Sequence, residues 1–254
     1  MKDENRDFRE RWREKSRQMF DTSEAEKVFQ NVFDHKTSMA LMKLSENDVL
    51  ETIYGVIESG KESVIFLADT PDGERVVVKI YMTRAGNFRE MKDYLRGDKR
   101  FRSVKDDRRS VIHEWCKKEY RNLNKARDHV RCPEPIAVRK NILVMEFVGE
   151  DFSPYPKMKD VEPENPQEAY EGTLDGISRL WNEGELVHGD LSEYNIVVDG
   201  DGRKVWIDFS QGVHIDHPQA EELLKRDIEN VASFFERKGA EVDTMKAFES
   251  VISG

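Results

Sequence analysis

Three residues in one stretch of the chain have the types and spacing for chemistry on phosphate. In LVHGDLSEYNIVVDGDGRKVWIDF, Asp190, Asn195 and Asp208 stand at spacings of five and thirteen. An aspartate on a loop can accept a proton from an attacking hydroxyl, or orient it. An asparagine carbonyl and a second carboxylate at a strand end can hold Mg2+ or Mn2+ against phosphate oxygens. Asp190 as a turn residue, or Asn195 as a cap, would be ordinary by itself. All three on one strand, loop, strand, turn, strand frame point to phosphoryl transfer.

Groups that could hold a nucleoside triphosphate lie upstream. Gly55 to Lys61, GVIESGK, matches the core of a P-loop, but Glu62 follows Lys61 where Ser or Thr is required and the chain continues as a strand rather than opening a helix. The segment therefore reads as a hairpin turn in which Ser59, Gly60, Lys61, Glu62 and Ser63 cover the phosphates. Lys79 follows in VVVKIY. Strand alternation places it with Val77 and Tyr81 on one face, where a lysine needs a partner. Glu119 is the candidate, on KKEYRNL with apolar Leu123 one turn later, and Glu114 is a second. Further on, LVMEFVG offers Glu146 C=O and Val148 N–H to an adenine ring, although a plain buried strand fits this segment nearly as well.

These groups need elements to position them. Residues 1–48 read as a helical extension, with Thr22 or Ser23 as N-cap and Val28, Phe29, Val32 and Phe33 at one-turn spacing on a buried face. Residues 49–149 read as a β-rich lobe: TIYGVIES, SVIFLADT and RVVVKIYM form an antiparallel meander turned at Asp72-Gly73, and 145–149 form a hinge. Inside this lobe residues 84–109 break the pattern with ten Lys/Arg against five Asp/Glu, which reads as a basic flexible loop. A helix from about Val111 and two further strands follow it. Residues 150–254, entered through Pro154, Pro156, Pro163 and Pro166, read as a reduced, mostly helical second lobe.

Composition sets bounds on this picture. The 254 residues carry 41 Lys+Arg and 51 Asp+Glu, a net charge of −10, and 37% of them are hydrophobic, enough for a core. The 36% charged fraction fits an ion-pair-rich surface of the thermophile kind. The longest apolar run is Val64 to Ala68, far short of the roughly 20 residues that cross a bilayer. The charged start MKDENRDFRERWREK has no secretory apolar region, so a cytoplasmic protein without membrane association is expected. Cys116 and Cys132 are too few for a disulfide framework and read as reduced core thiols.

With these residues in hand, the chain from about 48 to 251 resembles the RIO family of atypical serine protein kinases, in its Rio-one-like subfamily. The resemblance rests on SGKES, LVHGDLSEYN, IDFSQGV and HPQAEELLKRDIENVASFF. It implies a two-lobed α+β protein-kinase-like fold, an archaeal source, and Mg-ATP bound between the lobes. Asp190 would be the catalytic aspartate, Asn195 and Asp208 the metal ligands, and Lys79 the phosphate-binding lysine. Asp208 could itself be phosphorylated, making turnover partly ATPase-like. Two departures from ordinary protein kinases stand out: Ser192 replaces a catalytic-loop lysine, and Phe-Ser-Gln follows Asp208 in place of Phe-Gly. With 46 residues after Asp208 (254 − 208), an activation loop and peptide-docking helices are not expected. The resemblance further implies autophosphorylation at Ser103 or Ser110 and a role on the maturing small ribosomal subunit, with 84–109 either a solvated loop or a contact for rRNA phosphates. Two alternatives stay open: a small-molecule kinase of the aminoglycoside or choline type, which shares the HGD-x4-N loop, and a nucleotide-gated binding module on pre-ribosomes.

Overall fold

A computed structural model of the chain describes residues 12, 14–23, 26, 28–29, 33–83, 88–101, 105 and 107–254. Arg84, Arg102, Ser103, Val32 and the first eleven residues of the expected helical extension lie outside them. The chain forms two compact units, one of residues 1–91, 105–117 and 135–147, the other of 92–104, 118–134 and 148–254.

The first unit is a five-stranded antiparallel sheet with helical residues packed on one face. Its strands are β1 (Thr52–Ser59), β2 (Ser63–Asp69), β3 (Arg75–Tyr81), β4 (Pro135–Arg139) and β5 (Ile142–Glu146), in the order β1-β2-β3-β5-β4. The β2–β3 turn follows from its residues. Pro71 presets the first corner, Gly73 takes φ +80, and Gly73 N–H closes onto Thr70 C=O at 3.0 Å. Alternation along β3 sorts its side chains. Val76, Val78 and Ile80 join Val64, Phe66 and Val144 in a core closed from outside the sheet by Trp12, Met19, Phe20, Phe29 and Leu41, while Val77, Lys79 and Tyr81 point the other way.

One feature of the helical segment differs from the sequence reading. The helical residues do not run unbroken to 48. Asp34 accepts the Thr37 N–H at 3.0 Å and caps a new helix, α1 (His35–Glu46). Thr22 precedes helical residues as expected, and its hydroxyl donates to Tyr54 C=O at 3.3 Å. Phe29, one of the four residues proposed for the buried face, is fully buried.

The basic segment differs as well. Residues expected as flexible loop form α2 (Phe88–Gly97) and a 3-10 turn, Lys99–Phe101, because Met91, Leu95 and Phe101 supply a buried face within the positive charge. Next comes α3 (Arg108–Ala126), started by Asp107, which accepts both the N–H and the hydroxyl of Ser110 at 3.0 and 2.6 Å. Helices α2 and α3 each contribute residues to both units.

The second unit gathers short strands around three helices. It contains the hairpin β6 (Gly149–Glu150) and β7 (Ser153–Pro154), α4 (Pro166–Asn182), β8 (Leu186–Val187), β9 (Ile196–Val198), β10 (Lys204–Trp206), β11 (Val213–His214), α5 (Ala220–Arg237) and α6 (Thr244–Ser253). Helix α4 packs on α5 and α6, with Tyr170 and Phe235 rings 6.0 Å apart. Strand β9 pairs with β10 across Asp199-Gly200-Asp201-Gly202, with Gly202 at φ +77. Strands β8 and β11 pair so that the chain before Asp190 lies beside the chain after Asp208. Cys116 and Cys132 are buried thiols not joined in a disulfide. No helix among the described residues is long and apolar enough to cross a membrane.

Candidate active site

Asp190 sits on a loop whose backbone is held from below by one buried carboxylate. Asp227 on α5 accepts Gly189 N–H at 2.7 Å on one oxygen and Leu191 N–H at 2.8 Å on the other, clamping the peptide groups on both sides of Asp190. Arg226 donates to Gly189 C=O, and Asn230 donates to Leu191 C=O at 3.2 Å. Gly189 is required here: its φ is +78, and a Cβ would meet Gln211 C=O at 2.9 Å. Burial pushes the Asp227 carboxyl up to about 7, against the two N–H bonds and Arg226, which pull it down. In the block HPQAEELLKRDIENVASFF, Arg226, Asp227 and Asn230 are the residues that position the loop. Sequence reading quoted this block and missed their role.

Asn195 is oriented by the loop it belongs to. Its amide nitrogen donates to Asp190 C=O at 2.7 Å and to the Asp190 carboxylate at 3.3 Å, which fixes the side-chain flip and commits the nitrogen, not the oxygen, to Asp190. The Asn195 C=O accepts Ile207 N–H at 2.9 Å and ties this residue to the strand leading to Asp208. Asp208 has φ +61, a left-handed conformation that a non-glycine residue rarely adopts, and one of its carboxylate oxygens accepts Ser210 N–H at 3.4 Å. Burial raises the Asp190 carboxyl, and the negative charge of Asp208 raises it further, while Arg226 and Asn195 lower it. The structure therefore brings Asp190, Asn195 and Asp208 into one electrostatically coupled cluster, as their spacing predicts.

The loop after Asp208 is held by α3. Lys118, fully buried, donates to Ser210 C=O at 2.7 Å. Burial pushes its ammonium down to about 7, and Arg100 adds to the effect, while the charges of Asp98, Glu119 and Asp208 oppose it. Glu119 is also fully buried in this unit. Glu114, the second candidate partner for Lys79, is paired at the surface with Lys117 at 2.6 Å.

The remaining candidates lie in the first unit, apart from Val148. Lys79 is 3% exposed, faces Ile65 and Leu143 across the sheet, and its ammonium lies 5.3 Å from the Tyr81 ring. Ser59 pairs with Val64, and Gly60 N–H donates to Ser63 C=O at 2.9 Å, so Ser59 to Ser63 form the hairpin turn and not a P-loop helix. Glu62 C=O accepts Met82 N–H at 2.8 Å. Lys61 is exposed at the tip. Glu146 ends β5 opposite Val76, and Val148 C=O accepts Tyr155 N–H at 3.2 Å.

Hard oxygen donors and adjacent carboxylates suit a divalent cation. Among the described residues no group of three or more His, Cys, Asp or Glu forms a preformed metal cage. A Mg2+ site takes one or two protein carboxylates and fills the rest with phosphate and water.

Comparison with known proteins agrees with this geometry. Residues 64–248 match the RIO domain. The chain is 46% identical to the RIO-type serine/threonine-protein kinase Rio1 of Haloferax volcanii, over 89% of this chain and 77% of that protein. It is 42% identical to the Rio1 of Methanocaldococcus jannaschii, over 84% and 72%, and 37% identical to the human kinase RIO1, over 85% and 39%. Among solved structures, the ADP/Mg2+-phosphoaspartate complex of the Rio2 kinase from Chaetomium thermophilum superposes with a TM-score of 0.64 at 25% identity, covering 84% of this chain and 66% of that one. A kinase-like fold, a loop clamped around Asp190 and these relatives lead to one placement: the chain belongs to the RIO family of serine/threonine protein kinases, on its Rio1 branch.

Proposed function

We propose that the chain binds Mg-ATP, phosphorylates itself on serine and hydrolyses ATP, with an aspartyl-phosphate on Asp208 as an intermediate of turnover. The observation that carries this reading is the cluster of Asp190, Asn195 and Asp208 on a backbone clamped by Asp227. Asp190, with its raised carboxyl, accepts the proton of the attacking serine or water hydroxyl. The Asn195 oxygen and the Asp208 carboxylate would hold the divalent cation, which when bound offsets phosphate charge. Asp208 is then next to that phosphate and can attack it through a carboxylate oxygen, displacing ADP. Water attack on the acyl phosphate would release inorganic phosphate.

Lys79 is assigned to the ATP phosphates, with Glu119 as its carboxylate partner. Glycine at position 60 supports the assignment of Ser59 to Ser63 as a phosphate cover. Among the described residues a Cβ there would meet Ser63 C=O at 3.6 Å, an ordinary contact, so none of them demands glycine. Close approach of a ligand to the backbone would. Glu146 and Val148 are assigned to the adenine.

The test is incubation with Mg2+ and γ-labelled ATP, following label into free phosphate, phosphoserine and base-labile acyl phosphate. Label on serine or Asp208 that disappears in Asp190→Ala or Asp208→Ala is the expected result. ATP binding without label anywhere would leave the nucleotide-gated module as the function. Label on an aminoglycoside or choline, but not on protein, would indicate the small-molecule kinase.

The biological setting we infer is maturation of the small ribosomal subunit in the cytoplasm. Within the basic segment several charges have acidic partners. Arg96, Lys99, Arg100 and Arg109 are already paired with Asp93, Asp216, Asp98 and Asp34. If an RNA contact through 84–109 is real, binding should weaken steeply as salt rises, with a slope of log K on log salt of about 0.7 per phosphate neutralised on single strands, and salt-independent binding would refute it. A filter-binding series against rRNA fragments measures the slope. Ser110, whose hydroxyl is bonded to Asp107, remains the described candidate for autophosphorylation.

A further inference from the structure

Asp208 occupies a backbone conformation that persists only where the surroundings over-determine it. The carbonyls after it supply the constraint, and three of them are held from one side of α3. Lys118 donates to Ser210 C=O, and the Asn122 amide nitrogen donates to both Phe209 C=O at 2.9 Å and Gly212 C=O at 2.7 Å. Lys118 and Asn122 are four residues apart, hence on one helix face, and both are fully buried. Gly212 allows the approach, since a Cβ there would come within 2.9 Å of the Asn122 nitrogen.

With both amide hydrogens committed, Asn122 has only its oxygen left, and Arg100 donates to it at 2.9 Å. Arg100 is locked in turn by Asp98, whose side chain is fully buried and accepts from Arg100 Nε at 2.9 Å and from Nη2 at 2.6 Å. A charged residue of the basic segment thus ends a relay, Asp98 to Arg100 to Asn122, on the two peptide groups that bracket the turn after Asp208. A buried polar chain of this kind is costly to assemble, and every link in it is satisfied.

We propose that Arg100 and Asn122 are positioning residues for Asp208: by fixing the left-handed turn they set the affinity of the site for the divalent cation and leave metal-free nucleotide binding untouched. The proposal rests on the reading of Asp208 as a metal ligand. Outer partners that orient a ligand change metal affinity about 10- to 100-fold when removed.

The test uses the full chain with Mn2+ as probe. Bound and free Mn2+ are separated by electron paramagnetic resonance in the presence of ADP, and metal-free affinity for a fluorescent ADP is measured in EDTA. Asn122→Ala and Arg100→Gln should weaken Mn2+ binding about 10- to 100-fold, with metal-free ADP affinity within about twofold of the parent. Arg100 is 23% exposed, so Arg100→Gln carries the test should Asn122→Ala fail to melt cooperatively. If Asp208→Ala loses Mn2+ while both relay variants keep parental affinity, the positioning role is overturned and the metal reading stands. If Asp208→Ala keeps parental Mn2+ affinity, both fall. Equal weakening of Mn2+ and metal-free ADP binding would reduce the relay to a general structural role and overturn the proposal.

Discussion

Asp227 holds the loop around Asp190 through its backbone N–H groups. Both of its oxygens accept backbone N–H groups, so an amide in its place would present a donor to a donor at one of them. Asp227→Asn is expected to shift the loop around Asp190 and slow single-turnover phosphorylation by about 100-fold, the cost of a misplacement near 1 Å. ATP affinity should hold, and a parental single-turnover rate would refute the clamp. Asp98 makes a second prediction, about stability. Burial raises its carboxyl, but the hydrogen bonds and charge of Arg100 outweigh burial and hold it below its ordinary value of 3.8. A depressed carboxylate contributes stability that is present above the unfolded value and lost as pH falls through the folded one. Asp98→Asn should therefore cost about 1.5–3 kcal/mol near neutrality, the worth of a charge-assisted hydrogen bond. The gap from the parent should close as pH drops below 3.8. Urea melts at stepped pH read both, and a gap that widens on acidification would contradict the assignment.

At the scale of elements, α2 is fastened to the loop beyond Asp208 by a close fit. His217 donates to Tyr94 C=O and accepts Gln219 N–H, each at 3.1 Å, and its ring occupies the space a Cβ on Gly97 would need, 2.1 Å from Nε2. Replacing a helical glycine by alanine ordinarily gains up to about 1 kcal/mol, whereas overpacking a buried site costs about 1–3 kcal/mol. His217 is buried and bonded at both nitrogens, so the clash prevails and Gly97→Ala should lower the melting temperature. In a His217→Ala background the same substitution should be neutral or stabilising, and a double-mutant cycle with no coupling would refute the fit.

This element also shows where sequence reading stopped. Asp190, Asn195 and Asp208 were legible because type and spacing sit in one local stretch, and Lys79 because strand alternation buries it. Helix α2 was not, since its positive charge reads as solvated while Met91 and Leu95 alone carry its buried face. Asp34 was missed because a cap inside a continuous apolar pattern carries little signal. Asp227 acts on backbone N–H groups 36 and 38 residues away, and Asn122 on carbonyls 87 and 90 residues away. Peptide groups have no residue identity, so no spacing could reveal either.

On the scale of the whole chain, the first unit reaches beyond the segment that the family match covers, which begins at residue 64. One face of its sheet is closed by residues that precede it. The Phe29 ring lies 5.5 Å from Trp12, 5.5 Å from Phe20, 5.1 Å from Phe33 and 6.3 Å from Phe66 of β2, and Phe29 is completely buried. The early residues are therefore part of the core that holds β2 and β3, and with them Lys79 and the Ser59–Ser63 turn. Truncating a buried phenylalanine to alanine costs about 3–5 kcal/mol, a large share of the roughly 5–15 kcal/mol that holds a domain together. Phe29→Ala should lower the denaturation midpoint markedly with little change in slope. A chain begun at Val49 would leave Phe66, Val78 and Val144 uncovered, and should bind a hydrophobic dye and lose cooperative melting of the sheet. If that shortened chain instead melted cooperatively at the parental temperature, the early residues would be an appendage, and the packing around Phe29 would contribute nothing to the first unit.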